Sequence, residues 1–368
     1  MEQLVCTACN RTFDVDPGIW RCPCGSPLDL RFEARFPLEK ISARGPTLWR
    51  YREAIPISQD GNILSMGEGF TPLEEIELGS CRVFVKMDFL FPTGSYKDRG
   101  ATVLISKVKE MGVRKVVEDS SGNAGCAIAA YCARGGIECE IYVPESTSKG
   151  KLAQIEAYGA VLNKVPGSRE RTAEVTLEAA SRTYYASHCW NPFFFHGTKT
   201  FAYEVWEQMN RKEPDTLVLP VGHGTLFLGV YLGFSELREA GLIRKIPKFV
   251  GVQSASCAPL YQAFKEGKDE IPFIEKGETI AEGIAIAVPA RGKQILKAVY
   301  ETDGEVLAVQ EEEIHGTFKE MGRKGYFIEP TSAATIAGLK KYLNGKGQKE
   351  TVVSTFTGAG LKSAGKIL

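Results

Sequence analysis

From residue 83 onward, short apolar runs alternate with stretches of helical spacing, and this alternation limits the fold more than any other feature of the chain. Residues 83–87, 115–118, 140–144, 216–220 and 352–356 read as strands. Residues 97–110, 124–134, 151–158 and 226–237 have helical spacing, and the first three end at Gly112, at Gly135 with Gly136, and at Gly159. Strand, turn and helix in succession imply parallel sheets covered by helices, the doubly wound α/β class. Ligands in such sheets sit beyond the carboxyl ends of strands, so the turns after each run are where chemistry is expected.

A chain of 368 residues with 43% hydrophobic content can bury a large core, and its length suggests two domains or more. Lys plus Arg and Asp plus Glu both number 45, so the basic excess of a nucleic-acid binder is missing. No apolar run is long enough to span a bilayer, and the N-terminus has neither the basic start nor the apolar core of a signal peptide. The expectation is a cytoplasmic protein with no nucleic-acid or membrane partner.

The segment Pro92-Thr93-Gly94-Ser95-Tyr96-Lys97-Asp98-Arg99 puts a lysine at a helix start. Thr93 or Ser95 can cap that helix, and Ser95-x-x-Asp98 fits a capping box. Lys97 then faces the positive end of the helix dipole with Arg99 close by, and both disfavour an ammonium charge. A lysine biased toward its neutral amine is a nucleophile able to form a Schiff base. The plain alternative is a solvated lysine at an ordinary helix start.

Gly222-His223-Gly224-Thr225 follows an apolar run and opens a helix, which aims backbone N–H groups at an anion. A dinucleotide site fails on detail, because Phe227 stands where a third glycine would be needed. A plain tight turn remains the alternative. Asn123 lies in a second strand-to-helix turn, Ser120-Ser121-Gly122-Asn123-Ala124-Gly125, where its simplest role is a helix cap.

Four of the ten cysteines fall in the first 24 residues. Cys6-x-x-Cys9 and Cys22-Pro23-Cys24 look like the two knuckles of a zinc ribbon, although the second has a one-residue gap. Structural Zn2+, a metal-free relic of a ribbon and a redox pair are all open on spacing alone. Cys81, Cys126, Cys132, Cys139, Cys189 and Cys257 are dispersed and read as reduced, buried small hydrophobes.

Taken in order, five pieces resemble the threonine synthase branch of the pyridoxal-phosphate enzymes, which have the tryptophan-synthase-β type of fold. They are Leu64-Ser65-Met66-Gly67-Glu68-Gly69-Phe70-Thr71-Pro72-Leu73, the lysine segment, the 120–125 turn, Pro220-Val221-Gly222-His223-Gly224-Thr225 and Thr357-Gly358-Ala359-Gly360-Leu361-Lys362. The resemblance implies a zinc-ribbon-like segment over 1–34, a large cofactor-binding domain from 35–108 and 205–368, and a small mobile α/β domain over 109–204. It implies that Lys97 holds pyridoxal phosphate, that Gly222, His223, Gly224 and Thr225 cradle its phosphate, that Asn123 meets its phenolic oxygen and that Thr357 meets the pyridine nitrogen. The hydroxyl of Thr357 would leave that nitrogen unprotonated.

The resemblance also implies a lyase acting on O-phosphohomoserine and water, giving threonine and phosphate, as a homodimer. Ser120, Ser121, Gly122 and Ala124 would bind the substrate α-carboxylate. Lys149 and Lys151, and more boldly Arg291, would take the substrate phosphate. Two stretches depart from the pattern. Residues 279–286 look closer to threonine and serine dehydratases, with Glu282 set to meet the substrate amine or the cofactor, and the 120–125 turn differs from the form common in threonine synthases. They keep open an α,β-eliminating or β-replacing enzyme that acts through aminoacrylate, of the dehydratase or cysteate synthase kind. A zinc-ribbon protein that only binds a ligand is the non-enzymatic alternative.

Overall fold

The run Thr216–Pro220 is buried at every residue, as a strand covered on both faces must be. In the computed structural model, which describes residues 2–147, 149–167, 169–344 and 350–363 (backbone alone for 149–151, 169 and 170), this strand lies inside a six-stranded sheet. Its order is Glu305–Val309, Lys248–Ser254, Thr216–Pro220, Val352–Thr355, Cys81–Lys86 and Leu73–Leu78. Every neighbouring pair is parallel except the last. Leu73–Leu78 exposes Glu74, Glu75 and Glu77, charges suited to a sheet edge. The helix Pro330–Leu343 covers one face so closely that a Cβ on Gly338 would fall 2.5 Å from Val252. A buried ion pair, Lys86 Nζ to Glu204 at 2.7 Å, ties the helix Thr200–Gln208 to the strand beside the one that leads to Thr357.

A second, four-stranded parallel sheet runs Val161–Val165, Glu138–Pro144, Lys115–Glu118 and Tyr184–Tyr185. The small-residue helix Asn123–Gly135 and the helix Lys97–Glu110 pack with it into one core, through Ala127, Ile128, Leu104, Ile105 and Val108. The three-stranded antiparallel N-terminal sheet, Thr12–Phe13, Gln3–Cys6 and Leu28–Arg31, joins the same core through Leu4, Cys6, Cys22, Leu28 and Leu30. Trp20 closes that contact, edge-on to Tyr185 and Trp190 at 5.2 and 5.3 Å between ring centres.

The chain divides into two compact units. One comprises the residues up to Gly69 together with Lys97–Thr198, and the other comprises Phe70–Tyr96 and the chain from Lys199 on. The helix Lys97–Glu110, expected with the large domain, instead shares the core of the smaller sheet, because its apolar side chains face the Asn123–Gly135 helix. Among the described residues no helix is long and apolar enough to cross a membrane. The six dispersed cysteines are buried free thiols, as expected.

Candidate active site

In the unit that contains Phe70–Tyr96, the strand Thr216–Pro220 ends in the turn Val221-Gly222-His223-Gly224 and the helix Thr225–Glu239 begins. Gly224 has φ +80°, a left-handed conformation, and a Cβ there would lie 2.6 Å from the Ile295 side chain. A Cβ on Gly222 would lie 3.1 Å from the Gly283 carbonyl and from Ile284. The turn therefore needs its glycines. The N–H groups of the first helical turn have no acceptors within the helix, and the helix dipole adds a positive bias, so the turn suits an anion. His223 is half-buried in the turn.

Two further pieces meet this turn's neighbourhood. The Tyr96 hydroxyl lies 2.8 Å from Thr225 Oγ1, and the Tyr96 N–H donates to the Thr357 carbonyl at 2.9 Å. Thr357 is fully buried after the strand Val352–Thr355. Its hydroxyl donates to Glu329 Oε1 at 2.6 Å and contacts Ser332 Oγ at 2.9 Å, while its N–H donates to Ser332 Oγ at 2.8 Å. Glu329 is 7% exposed, and a Cβ on Gly358 would fall 2.5 Å from its carboxyl group. Glu282 opens a short turn, exposed, and the next residue, Gly283, packs on Thr331 and borders Gly222. Arg291 is 3% exposed and donates to Gln294 Oε1 at 2.8 Å.

The capping box does not form. The helix starts at Lys97, so the position before it belongs to Tyr96, and Ser95 pairs by its backbone with Gly358. The Ser95 hydroxyl is buried without a hydrogen-bond partner among the described residues. Pairing with the strand end outcompetes a cap that only local sequence favours.

In the other unit, Lys97 is half-buried with Nζ 5.6 Å from the centre of the Phe194 ring. Phe194 is held there by glycines. A Cβ on Gly100 would lie 2.3 Å from the ring, and one on Gly197 would lie 1.9 Å from the Arg99 carbonyl. The 120–124 turn follows the strand Lys115–Glu118, with Ser120, Ser121 and Asn123 half-buried, Gly122 exposed and Ala124 buried. Gly122 is the cap residue and Asn123 the first helical one, so Asn123 is not the cap. The side chains of Lys149 and Lys151 lie outside the described residues.

Sequence reasoning did not find the pair beside this turn. His188 Nδ1 meets Glu118 Oε1 at 2.7 Å, both buried, and the His188 ring stands edge-on to Phe194 at 6.1 Å. Asp119 accepts a hydrogen bond from the Tyr185 hydroxyl at 3.0 Å. Burial, with Asp119 adding to it, pushes the Cys189 thiol up to about 12, which makes it inert.

The four N-terminal cysteines do come together. Cys6, Cys9, Cys22 and Cys24 place their sulfurs within 4.8 Å of one another, with Cys6–Cys24 at 3.5 Å and Cys9–Cys22 at 3.6 Å. Hydrogen bonds from the side chain and backbone of Ser26 hold the Cys24 thiol down to about 6.

Residues 64–358 match the family described as pyridoxal-phosphate dependent enzyme. The chain is similar to the threonine synthase of Methanocaldococcus jannaschii, 38% identical over 97% of this chain and 92% of that one. It is similar to the threonine synthase of Methanosarcina acetivorans, 33% identical over 98% and 92% of the two chains. Its fold is similar to the processed form of threonine deaminase isoform 2 from Solanum lycopersicum, with a TM-score of 0.70 at 23% identity over 86% of each chain. The chain belongs to the pyridoxal-phosphate-dependent enzymes, in the family of the threonine synthases. The residues present fit that cofactor: the glycine turn opens a helix whose first N–H groups suit a phosphate, and among the described residues the buried Ser95 hydroxyl has no hydrogen-bond partner.

Proposed function

We propose that the protein is a threonine synthase, a lyase that converts O-phosphohomoserine and water to threonine and phosphate. The observation that carries this reading is the 38% identity to the threonine synthase of Methanocaldococcus jannaschii over 97% of the chain. Pyridoxal phosphate, when bound, supplies an electron-withdrawing ring conjugated with the substrate nitrogen. Lys97 would hold it by its amine and, once released, take protons from Cα and Cβ of the substrate. Gly222, Gly224 and Thr225 would hold the phosphate, with His223 shaping the turn. Asn123 would meet the phenolic oxygen and Thr357 the ring nitrogen. Ser120, Ser121, Gly122 and Ala124 would orient the substrate carboxylate, Glu282 its amine, and Lys149 with Lys151 its phosphate.

The dehydratase-like stretch borders this site, since Gly283 packs against Gly222. An α,β-eliminating or β-replacing activity is therefore the second reading. A substrate panel separates them. Supplied with O-phosphohomoserine, serine, threonine and O-phosphoserine, the holoenzyme is expected to release phosphate and threonine from the first alone. Formation of 2-oxoacid from serine, without threonine from O-phosphohomoserine, refutes the first reading.

We further propose that Cys6, Cys9, Cys22 and Cys24 hold a structural Zn2+. Tetrahedral thiolates at the usual Zn–S length lie about 3.8 Å apart, close to the sulfur spacings here. A homodimer in the cytoplasm completes the proposal, and sedimentation at twice the 40.3 kDa chain mass is its test.

A further inference from the structure

We propose that Tyr96 is a positioning residue that aims the Thr225 hydroxyl at the cofactor phosphate. This rests on the pyridoxal-phosphate reading of the site and adds a residue that neither the family resemblance nor the glycine turn assigns.

The geometry starts from one side chain and one N–H. The Tyr96 hydroxyl lies 2.8 Å from Thr225 Oγ1, and Thr225 is 3% exposed at the head of the phosphate-turn helix. A phenol is the better donor of the two and an aliphatic hydroxyl the better acceptor. When Tyr96 donates into Thr225, the single Thr225 proton points away from the phenol and can serve a phosphate bound at the helix start. Hydrogen bonds in such a chain polarise one another, so the second bond strengthens with the first. The Tyr96 N–H meanwhile donates to the Thr357 carbonyl at 2.9 Å. One residue is thus bonded to the phosphate-turn threonine and to the strand end that bears the ring-nitrogen threonine. The next residue in the chain is Lys97.

The test uses Tyr96→Phe, which keeps the ring and removes only the hydroxyl. Apoprotein of wild type and variant is titrated with pyridoxal phosphate and, separately, with pyridoxal, and binding is followed by tryptophan fluorescence. Loss of one neutral hydrogen bond predicts a roughly five- to tenfold rise in the dissociation constant for pyridoxal phosphate. Pyridoxal, which has no phosphate, is expected to bind both proteins equally, and the 31P resonance of the bound phosphate is expected to move. In a Thr225→Val background Tyr96→Phe is expected to add nothing further. Thr225→Val alone should give the same phosphate-selective loss, which keeps the inference testable if Tyr96→Phe does not fold. Unchanged affinity for pyridoxal phosphate, an equal loss for both ligands, or a full Tyr96→Phe effect in the Thr225→Val background overturns the inference. Wild-type apoprotein that binds neither ligand overturns the cofactor reading itself, a separate outcome.

Discussion

Gly100→Ala sets two effects against each other at the base of the lysine helix. Alanine is the better helix former by about 1 kcal/mol, so an exposed site would be stabilised. Here the new Cβ would lie 2.3, 2.3 and 2.5 Å from three Phe194 ring carbons, where carbon contacts prefer about 3.5–4.0 Å. Phe194 is fully buried and has the His188 ring on its edge at 6.1 Å, so the ring has little room to retreat. Overpacking of this kind typically costs 1–3 kcal/mol, and the net expectation is a loss of roughly 0–2 kcal/mol after the helix gain is subtracted. The same ring lies 5.6 Å from Lys97 Nζ, so its displacement also moves the surface that the lysine rests on. A misplacement near 1 Å lowers activity on the order of tenfold to a hundredfold. The urea midpoint and the turnover of the holoenzyme should both fall, and adding Phe194→Leu, which frees volume under the new methyl, should restore part of the midpoint. A midpoint that rises on Gly100→Ala would refute the packing account.

Two other perturbations read separate parts of the molecule. Metal analysis should find about one Zn2+ per chain, Cys9→Ser should abolish it, and a strong chelator should lower the melting temperature, because the cysteine sheet shares the core with Leu104 and Ile128; full retention of stability without metal contradicts the structural role. Arg44 grips Glu53 at 2.6 and 2.7 Å and holds its carboxyl below the ordinary 4.5, so that the pair's contribution is complete above about pH 4.5 and fades as the pH falls further. Arg44→Gln should therefore narrow the stability difference from wild type at pH 3 compared with pH 7, and a difference that grows toward low pH contradicts the pair.

Apolar runs made several strands legible, whether buried on both faces like Thr216–Pro220 or alternating like Glu138–Pro144. Thr216–Pro220 and Lys115–Glu118 fall where their apolar runs predict, as does the helix Lys97–Glu110 with its terminal glycine. Leu73–Leu78 escaped because an edge strand with three glutamates carries no apolar run. The glycine turn and its threonine were readable because a left-handed residue and a helix start leave a local signature. Contacts between side chains distant in sequence have no such signature. Tyr96 and Thr225 are 129 residues apart, Glu118 and His188 are 70 apart, and Thr357 and Glu329 are 28 apart. No spacing rule links them, and only the parallel sheet brings strand ends together. The expected capping box fails for the same reason, since a tertiary pairing with Gly358 takes Ser95 away from the helix. A hydroxylated ring next to the lysine was the one available hint to Tyr96.

The central claim is that Lys97 holds the cofactor, and it is tested most directly by reducing the holoenzyme with borohydride and sequencing the labelled peptide by mass spectrometry. The account predicts a single phosphopyridoxyl group on Lys97, and none in Lys97→Ala. A label on another lysine, such as Lys86 or Lys199, or a label that survives in Lys97→Ala, would contradict it.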